Sequence, residues 1–205
     1  MRVPPFVKGQ TVTVKKDLNK VRKPRADGER NRVALIAAAR AGFQKQGASA
    51  SLEQIARDAG VAIGTLYRHF PTRDNLIEAV YRQETDQLRE AAFELAKSKP
   101  PLEALRMWLL LFIDFLETKQ NLGEVLASLI GGPEALYGTT PAHLSPPVSM
   151  LVEKVNLEQG PVIELAPLDL LRAIAGVATI RPDTEWKKHS VALVELLLKG
   201  SCPTR

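Results

Sequence analysis

The run Gly60-Val61-Ala62-Ile63-Gly64-Thr65-Leu66-Tyr67-Arg68-His69-Phe70 concentrates hydrogen-bonding chemistry on one short segment. Leu66 and Phe70, four residues apart, face inward if the segment is helical. Gly64, Thr65, Arg68 and His69 then lie on other faces, and Tyr67 presents a ring and a hydroxyl. Small residues that permit close approach, beside a phenol, a guanidinium and an imidazole, have the makeup of a nucleic-acid reading head.

Such a head needs a rigid mount, and the preceding residues supply one. Ser51, followed three residues later by Gln54, predicts a capping box that starts a helix. Leu52, Ile55, Ala56 and Ala59 form its inward face, and Gly60 ends it in the left-handed conformation that a C-terminal cap requires. The whole reads as helix, tight turn, second helix, over 51–70. A further helical segment, Arg32 to Phe43, comes before it.

Residues Arg32 to Ala79 closely resemble the DNA-binding domain of TetR-family transcriptional regulators. The resemblance rests on Ala38, Phe43 and Gly47; on Ile55-Ala56 and Ala59-Gly60-Val61 around the turn; on Gly64 to Phe70; and on Arg73-Asp74-Asn75-Leu76. It implies that the second helix is a recognition helix, with Ile63, Gly64 and Thr65 nearest the base edges or adjacent backbone. Tyr67, His69 and Arg73 would then hold phosphates, and Ser51, Ala62 and Arg68 complete the expected DNA-binding set. Two positions depart from the family pattern. Ala62 stands where Ser or Thr is usual and offers its helix no side-chain cap, which leaves the first N–H groups open to a phosphate. Arg73 replaces the usual Lys and offers a planar fork.

Charge is distributed to match. Residues 1–73 carry 15 basic and 5 acidic side chains, and residues 74–205 carry 13 and 18. A basic front on an acidic back directs a polyanion to the first segment alone. At 45% hydrophobic and 25% charged residues, the 205-residue chain has the composition of a soluble globular protein and excludes wholesale disorder. The single cysteine, Cys202, excludes an intrachain disulfide. No secretory signal or membrane-length apolar run is present. His69, His143 and His189 are far apart without ligand-spaced neighbours, so no metal, no cofactor and no enzymatic activity are expected.

The expected fold is all-α: a three-helix helix-turn-helix DNA-binding domain over 29–80, then a helical ligand-binding and dimerisation domain over 81–205. Residues 1–28 form a basic N-terminal arm without helical period. It is either a leader adding non-specific attraction or an arm that follows a DNA groove. Thr11 to Val14 alternate as a short strand would. Beyond Phe70, a long helix capped by Thr72 or Asp74 runs to Pro100-Pro101. Leu102 to Thr118, apolar on nearly every face, belongs at the centre of the second domain. A helix over Asn121 to Ile130 ends at Gly131-Gly132-Pro133. The prolines of Gly138 to Pro147 predict a loop, with a helix from Val148 to about Gln159.

Helices Asp169 to Ile180 and Trp186 to Leu198, separated at Pro182-Asp183 and closed by Gly200 and Pro203, pack either as core or, as the resemblance implies, against their copies in a homodimer. The expected interface is Leu170, Ala173, Ile174, Gly176, Val177, Val191, Val194 and Leu198. Trp108, Phe112, Phe115, Tyr137, His143 and Met150 are the expected lining of an effector pocket, against the simpler reading that they are core. With no cluster of basic side chains in sight, a largely hydrophobic effector is expected. The resemblance thus implies a cytoplasmic regulator, associated with the nucleoid when bound to DNA. It would most often be a repressor that leaves a palindromic operator when a small molecule binds. The alternatives are an activator and a sequence-tolerant architectural DNA binder.

Overall fold

The computed structural model describes residues 24–130, 132, 134–180 and 185–200, and helices are the regular elements among them. In chain order they are α1 (Pro24–Gln46), a 3-10 turn (Gly47–Ser49), α2 (Leu52–Asp58), α3 (Ile63–His69), α4 (Arg73–Ser98), α5 (Pro101–Asn121), α6 (Gly123–Ala127), α7 (Glu134–Gln159), α8 (Pro167–Ile180) and α9 (Trp186–Gly200). The fold is all-α, with a helix-turn-helix unit leading into a helical bundle.

The first unit closes around Leu35, Ile36, Ala39 and Phe43 of α1, Ile55 and Ala56 of α2, Leu66 of α3, Phe70, and Leu76 and Ile77 of α4, all buried. Helix α1 passes so close to α2 at Gly42 that a Cβ there would stand 3.2 Å from Ile55 Cγ1. The Arg32 guanidinium lies over the Phe70 ring, 5.5 Å from its centroid, and fastens the third turn of α1 to the end of α3.

Helix α4 belongs to both units. Its first turns enter the core just described, while Leu88 and Ala92 further along are buried toward the bundle. A domain boundary at residue 80 therefore falls inside one continuous helix. Central in the bundle is α5, which packs against α4, α7, α8 and α9. It buries Ala104, Leu105, Trp108, Leu109, Phe112, Ile113, Phe115 and Leu116. The Trp108 indole N–H donates to the Leu88 carbonyl at 2.8 Å, which pins α5 to α4. Helix α9 is tied to α5 by ion pairs from Lys187 to Asp114 (2.7 Å) and Glu117 (2.9 Å).

Several boundaries differ from the sequence reading. Helix α1 begins at Pro24, inside the expected arm, since proline at the first helical position loses no hydrogen bond. The rest of that arm and the Thr11 to Val14 alternation lie outside the described residues, as do Gly131, Pro133, Pro182, Asp183, Cys202 and Pro203. The expected Asn121 to Ile130 helix is divided. Helix α5 runs on to Asn121, and α6 is a separate five-residue helix that ends at Ala127. Leu122, Val125, Leu126 and Leu129 are buried along it, which explains the helical spacing in the sequence.

The expected loop over 138–147 is instead part of α7, a helix with Pro141, Pro146 and Pro147 inside it. Each interior proline costs about 3 kcal/mol. Against that, Leu136, Leu144, Val148, Leu151, Val152 and Val155 are buried at helical spacing, each contributing roughly 1.5–3 kcal/mol. Burial along the stripe offsets the prolines.

The last two helices also divide their faces differently. Leu170, Ile174, Val194 and Leu198, four of the residues expected to meet a second subunit, are at most 6% exposed within one chain. They are core of the α8–α9 pair, because each helix must first cover its own bundle. Ala173, Gly176, Val177 and Val191 remain at least partly exposed, joined by Leu196 at 68% exposure.

Candidate nucleic-acid interface

Helix α2 starts on Ser51, whose hydroxyl accepts from the Gln54 N–H at 3.3 Å and donates to Glu53 Oε2 at 2.8 Å. Only half of the expected capping box forms. The Gln54 side chain turns along the helix instead, donating to Asp58 at 2.6 Å and accepting from Arg57 at 2.7 Å. The Ser51 hydroxyl is thus engaged with its own helix start.

The turn is a Schellman closure. Val61 N–H bonds the Ala56 carbonyl and Gly60 N–H the Arg57 carbonyl, both at 3.0 Å. Gly60 has φ +70°, which only glycine adopts without strain. Helix α3 then opens on Ala62, whose side chain makes no cap and whose carbonyl accepts from Thr65 N–H at 2.8 Å.

With Leu66 and Phe70 anchored below, α3 turns Ile63, Gly64, Tyr67 and Arg68 outward. Ile63 is 37% and Tyr67 46% exposed, so an apolar side chain and a phenol stand together on one outward face. A Cβ added at Gly64 would meet nothing within 4 Å. Thr65 and His69 are half-buried at the edges of this face, the His69 ring tilted against Phe70 with centroids 6.3 Å apart. Thr65, Tyr67, Arg68 and His69 on and beside this face can donate to phosphate and base oxygens.

Arg73 makes intrachain contacts that its residue type and spacing do not announce. Its guanidinium donates to the Ala50 carbonyl at 2.6 Å and the Ala48 carbonyl at 2.7 Å, and it lies 5.1 Å from the centroid of the Phe43 ring. The fork that would grip a phosphate instead braces the first turn of α4 against the α1–α2 connection. The next residue, Asp74, accepts from the Ile130 N–H at 2.9 Å and so binds the same turn to the bundle.

A second site lies in the bundle. Among α5, α7 and α8 a cavity of about 190 Å³ is lined by Phe112, Phe115, Leu116, Leu144, Leu168 and Leu171, with Tyr137, Thr140, Lys119 and Arg172 among its polar groups. Of the six expected lining residues, Phe112, Phe115 and Tyr137 are present. Trp108 is fully buried behind Phe112, its ring stacked at 6.1 Å. His143 is exposed and Met150 half-buried, and both lie off the cavity on other faces of α7, His143 in the part that was expected to be a loop and Met150 in the part that was expected to be helical. Lys119 and Arg172 were missed. Phe112, Phe115, Leu116 and Lys119 share one helical stripe, a spacing that signals Lys119 as part of the wall.

The model of the family described as bacterial regulatory proteins, tetR family, matches residues 35–80, from α1 into α4. Over the whole fold, a TetR transcriptional regulator from Streptomyces coelicolor is similar, with 34% identity and a TM-score of 0.71, covering 85% of this chain and 99% of that one. A TetR transcription regulatory protein from Mycobacterium vanbaalenii shares the fold at 22% identity and a TM-score of 0.65, over 86% of this chain and 98% of its own. A transcriptional regulator from Cytophaga hutchinsonii does so at 17% identity and a TM-score of 0.66, over 80% and 95%. With the exposed α3 face carried on this three-helix unit, and with more than a third of the residues shared along nearly the whole length of the Streptomyces protein, the chain belongs to the TetR family of bacterial transcriptional regulators.

Proposed function

We propose that the protein is a ligand-responsive repressor that binds a palindromic operator as a homodimer and acts in the cytoplasm. The observation that carries this reading is the α3 face. Ile63, Gly64, Tyr67 and Arg68 are held outward on a closed core with open space over Gly64. Ile63, Gly64 and Thr65 address base edges, while Tyr67, Arg68 and His69 hold phosphates and set orientation. Two copies joined through the outward surfaces of α8 and α9 present two such faces to one symmetric site. The effector occupies the cavity among α5, α7 and α8, beside the α4 helix that carries the head. It releases the operator by preferring the conformation whose heads no longer match the groove, a coupling of roughly 1–3 kcal/mol.

Selection of bound fragments from genomic DNA, followed by footprinting, tests this. The expected result is protection of one short palindrome per target, with transcription from the adjoining promoter rising when the gene is deleted. Continuous coating of DNA marks an architectural protein instead, and a fall in transcription on deletion marks an activator.

A further inference from the structure

We propose that the cavity among α5, α7 and α8 takes a small monocarboxylate with an apolar body, its carboxylate held by Lys119. The inference deepens the reading of this cavity as the effector site and rests on it. Its ground is a cation without a counter-ion. Arg172, the other basic group of the wall, is paired with Asp169 at 2.6 Å; elsewhere in the bundle Arg106 Nε is paired with Glu195 at 2.6 Å and Lys187 with Asp114 and Glu117, and Arg82, Lys154 and Lys199, which form no ion pair among the described residues, stand exposed to solvent. Lys119, half-buried in the cavity wall, forms no ion pair with any described carboxylate. Its ammonium rests 3.7 Å from the centroid of the Tyr137 ring. Burial alone pulls its pKa below the ordinary lysine value. A desolvated ammonium over an aromatic face, at the edge of six apolar side chains, is complementary to a carboxylate on a hydrocarbon or aryl body.

Size narrows the class. A cavity of about 150 Å³ accepts benzene, so about 190 Å³ suits a seated body of roughly eight to ten non-hydrogen atoms. The wall also carries the route to α4. Thr140 Oγ1 lies 2.7 Å from the buried Tyr81 hydroxyl of α4, so a ligand seated here adjoins a hydrogen bond to the helix that bears the reading head. The carboxylate gives the apolar effector expected from sequence a charged end.

Titration calorimetry of the full-length protein at neutral pH with octanoate, 1-octanol and octylamine tests the inference. Octanoate is expected to bind at least about tenfold more tightly than octanol, with octylamine weakest. Lys119→Met keeps the apolar stem and should lose about tenfold in octanoate affinity while changing octanol by less than about twofold, and Lys119→Arg should retain the preference. The proposal is overturned if Lys119→Met binds octanoate as the wild type does, if octanol or octylamine matches octanoate on the wild type, or if octanoate shows no saturable binding up to about 10 mM. Lys119-dependent octanoate binding that leaves operator affinity unchanged supports the ligand class and removes the effector reading. Release of operator by a compound that does not compete with octanoate separates the two in the same way.

Discussion

Arg73 Nη1 donates to the Ala50 carbonyl at 2.6 Å, across 23 residues of chain, and Nη2 reaches the Ala48 carbonyl at 2.7 Å. The pair of bonds holds α4 to the α1–α2 connection, and on the proposed reading this brace is how the position acts on DNA binding. Arg73→Ala leaves both carbonyls without this partner and should cost about 2 kcal/mol of stability, since hydrogen bonds to charged groups contribute roughly 1.5–3 kcal/mol. The dependence of operator affinity on salt separates this role from a phosphate contact. Losing a phosphate contact lowers the log–log slope by about one, whereas loss of a brace leaves it unchanged. A drop of one in the slope would restore Arg73 to the DNA surface.

At Gly64 the outcome should be reversed, with folding intact and binding lost. Nothing stands within 4 Å of a Cβ there, so Gly64→Leu should melt within about 1 kcal/mol of the wild type, helped by leucine's better helix propensity. Operator affinity should fall at least about tenfold as the side chain blocks approach. Tyr67→Phe should weaken all DNA sequences by a similar factor, about fivefold for one lost hydrogen bond, without altering site preference. Tight operator binding by Gly64→Leu in a mobility-shift titration contradicts the assigned face.

Asp74 offers a measurement of how firmly the two units are joined. Its bond to the Ile130 N–H crosses from the first turn of α4 to the segment that follows α6. Asp74→Ala should lower stability by about 1 kcal/mol and reduce the ratio of operator affinities measured without and with effector. An unaltered ratio means that this bond takes no part in the proposed coupling.

Legibility in the sequence followed the length scale of the interactions. The turn was readable because its chemistry is local: Gly60 needs a positive φ and Ser51 caps its own helix, both within a few residues. Arg73 was not, because its partners Ala48 and Ala50 come together only when α1, α2 and α4 close on Phe43. The prolines of α7 misled for a related reason. Local propensity says loop, while the stripe from Leu136 to Val155 decides otherwise only once α5 is there to cover it. Leu170 and Val194 have the residue types of an interface and of a core alike, and only the packing of α8 on α9 assigns them.

Glu84 carries a pH signature. Burial holds its carboxyl above the usual range, partly opposed by Arg40, whose Nε stands 3.1 Å away without the alignment of a hydrogen bond. The folded state therefore binds its proton more tightly than the unfolded chain does. Stability from this group falls as pH rises from the ordinary glutamate value, about 4.3, through the raised folded value, and is level above it. Glu84→Gln lacks the titration, so its stability relative to the wild type should rise across that window. Denaturant unfolding at a series of pH values reads this directly, and a difference constant with pH removes the assignment.

Assembly can be tested by contrasting the two sides of α8 and α9. Gly176 and Leu196 lie on the outward side, Leu196 68% exposed, whereas Ile174 is fully buried within one chain. Gly176→Arg and Leu196→Glu put charge on the outward side, where a monomer tolerates it in water and a dimer seam does not. Both variants should sediment as folded monomers at micromolar concentration. They should also lose operator affinity steeply, because a symmetric site with half-sites about one helical turn apart needs both heads at once. Ile174→Ala should behave in the opposite way, remaining dimeric while losing about 2–4 kcal/mol of stability to the cavity it leaves. A wild-type protein that sediments as a monomer, or a Leu196→Glu variant that stays dimeric, would move the subunit contact away from this surface.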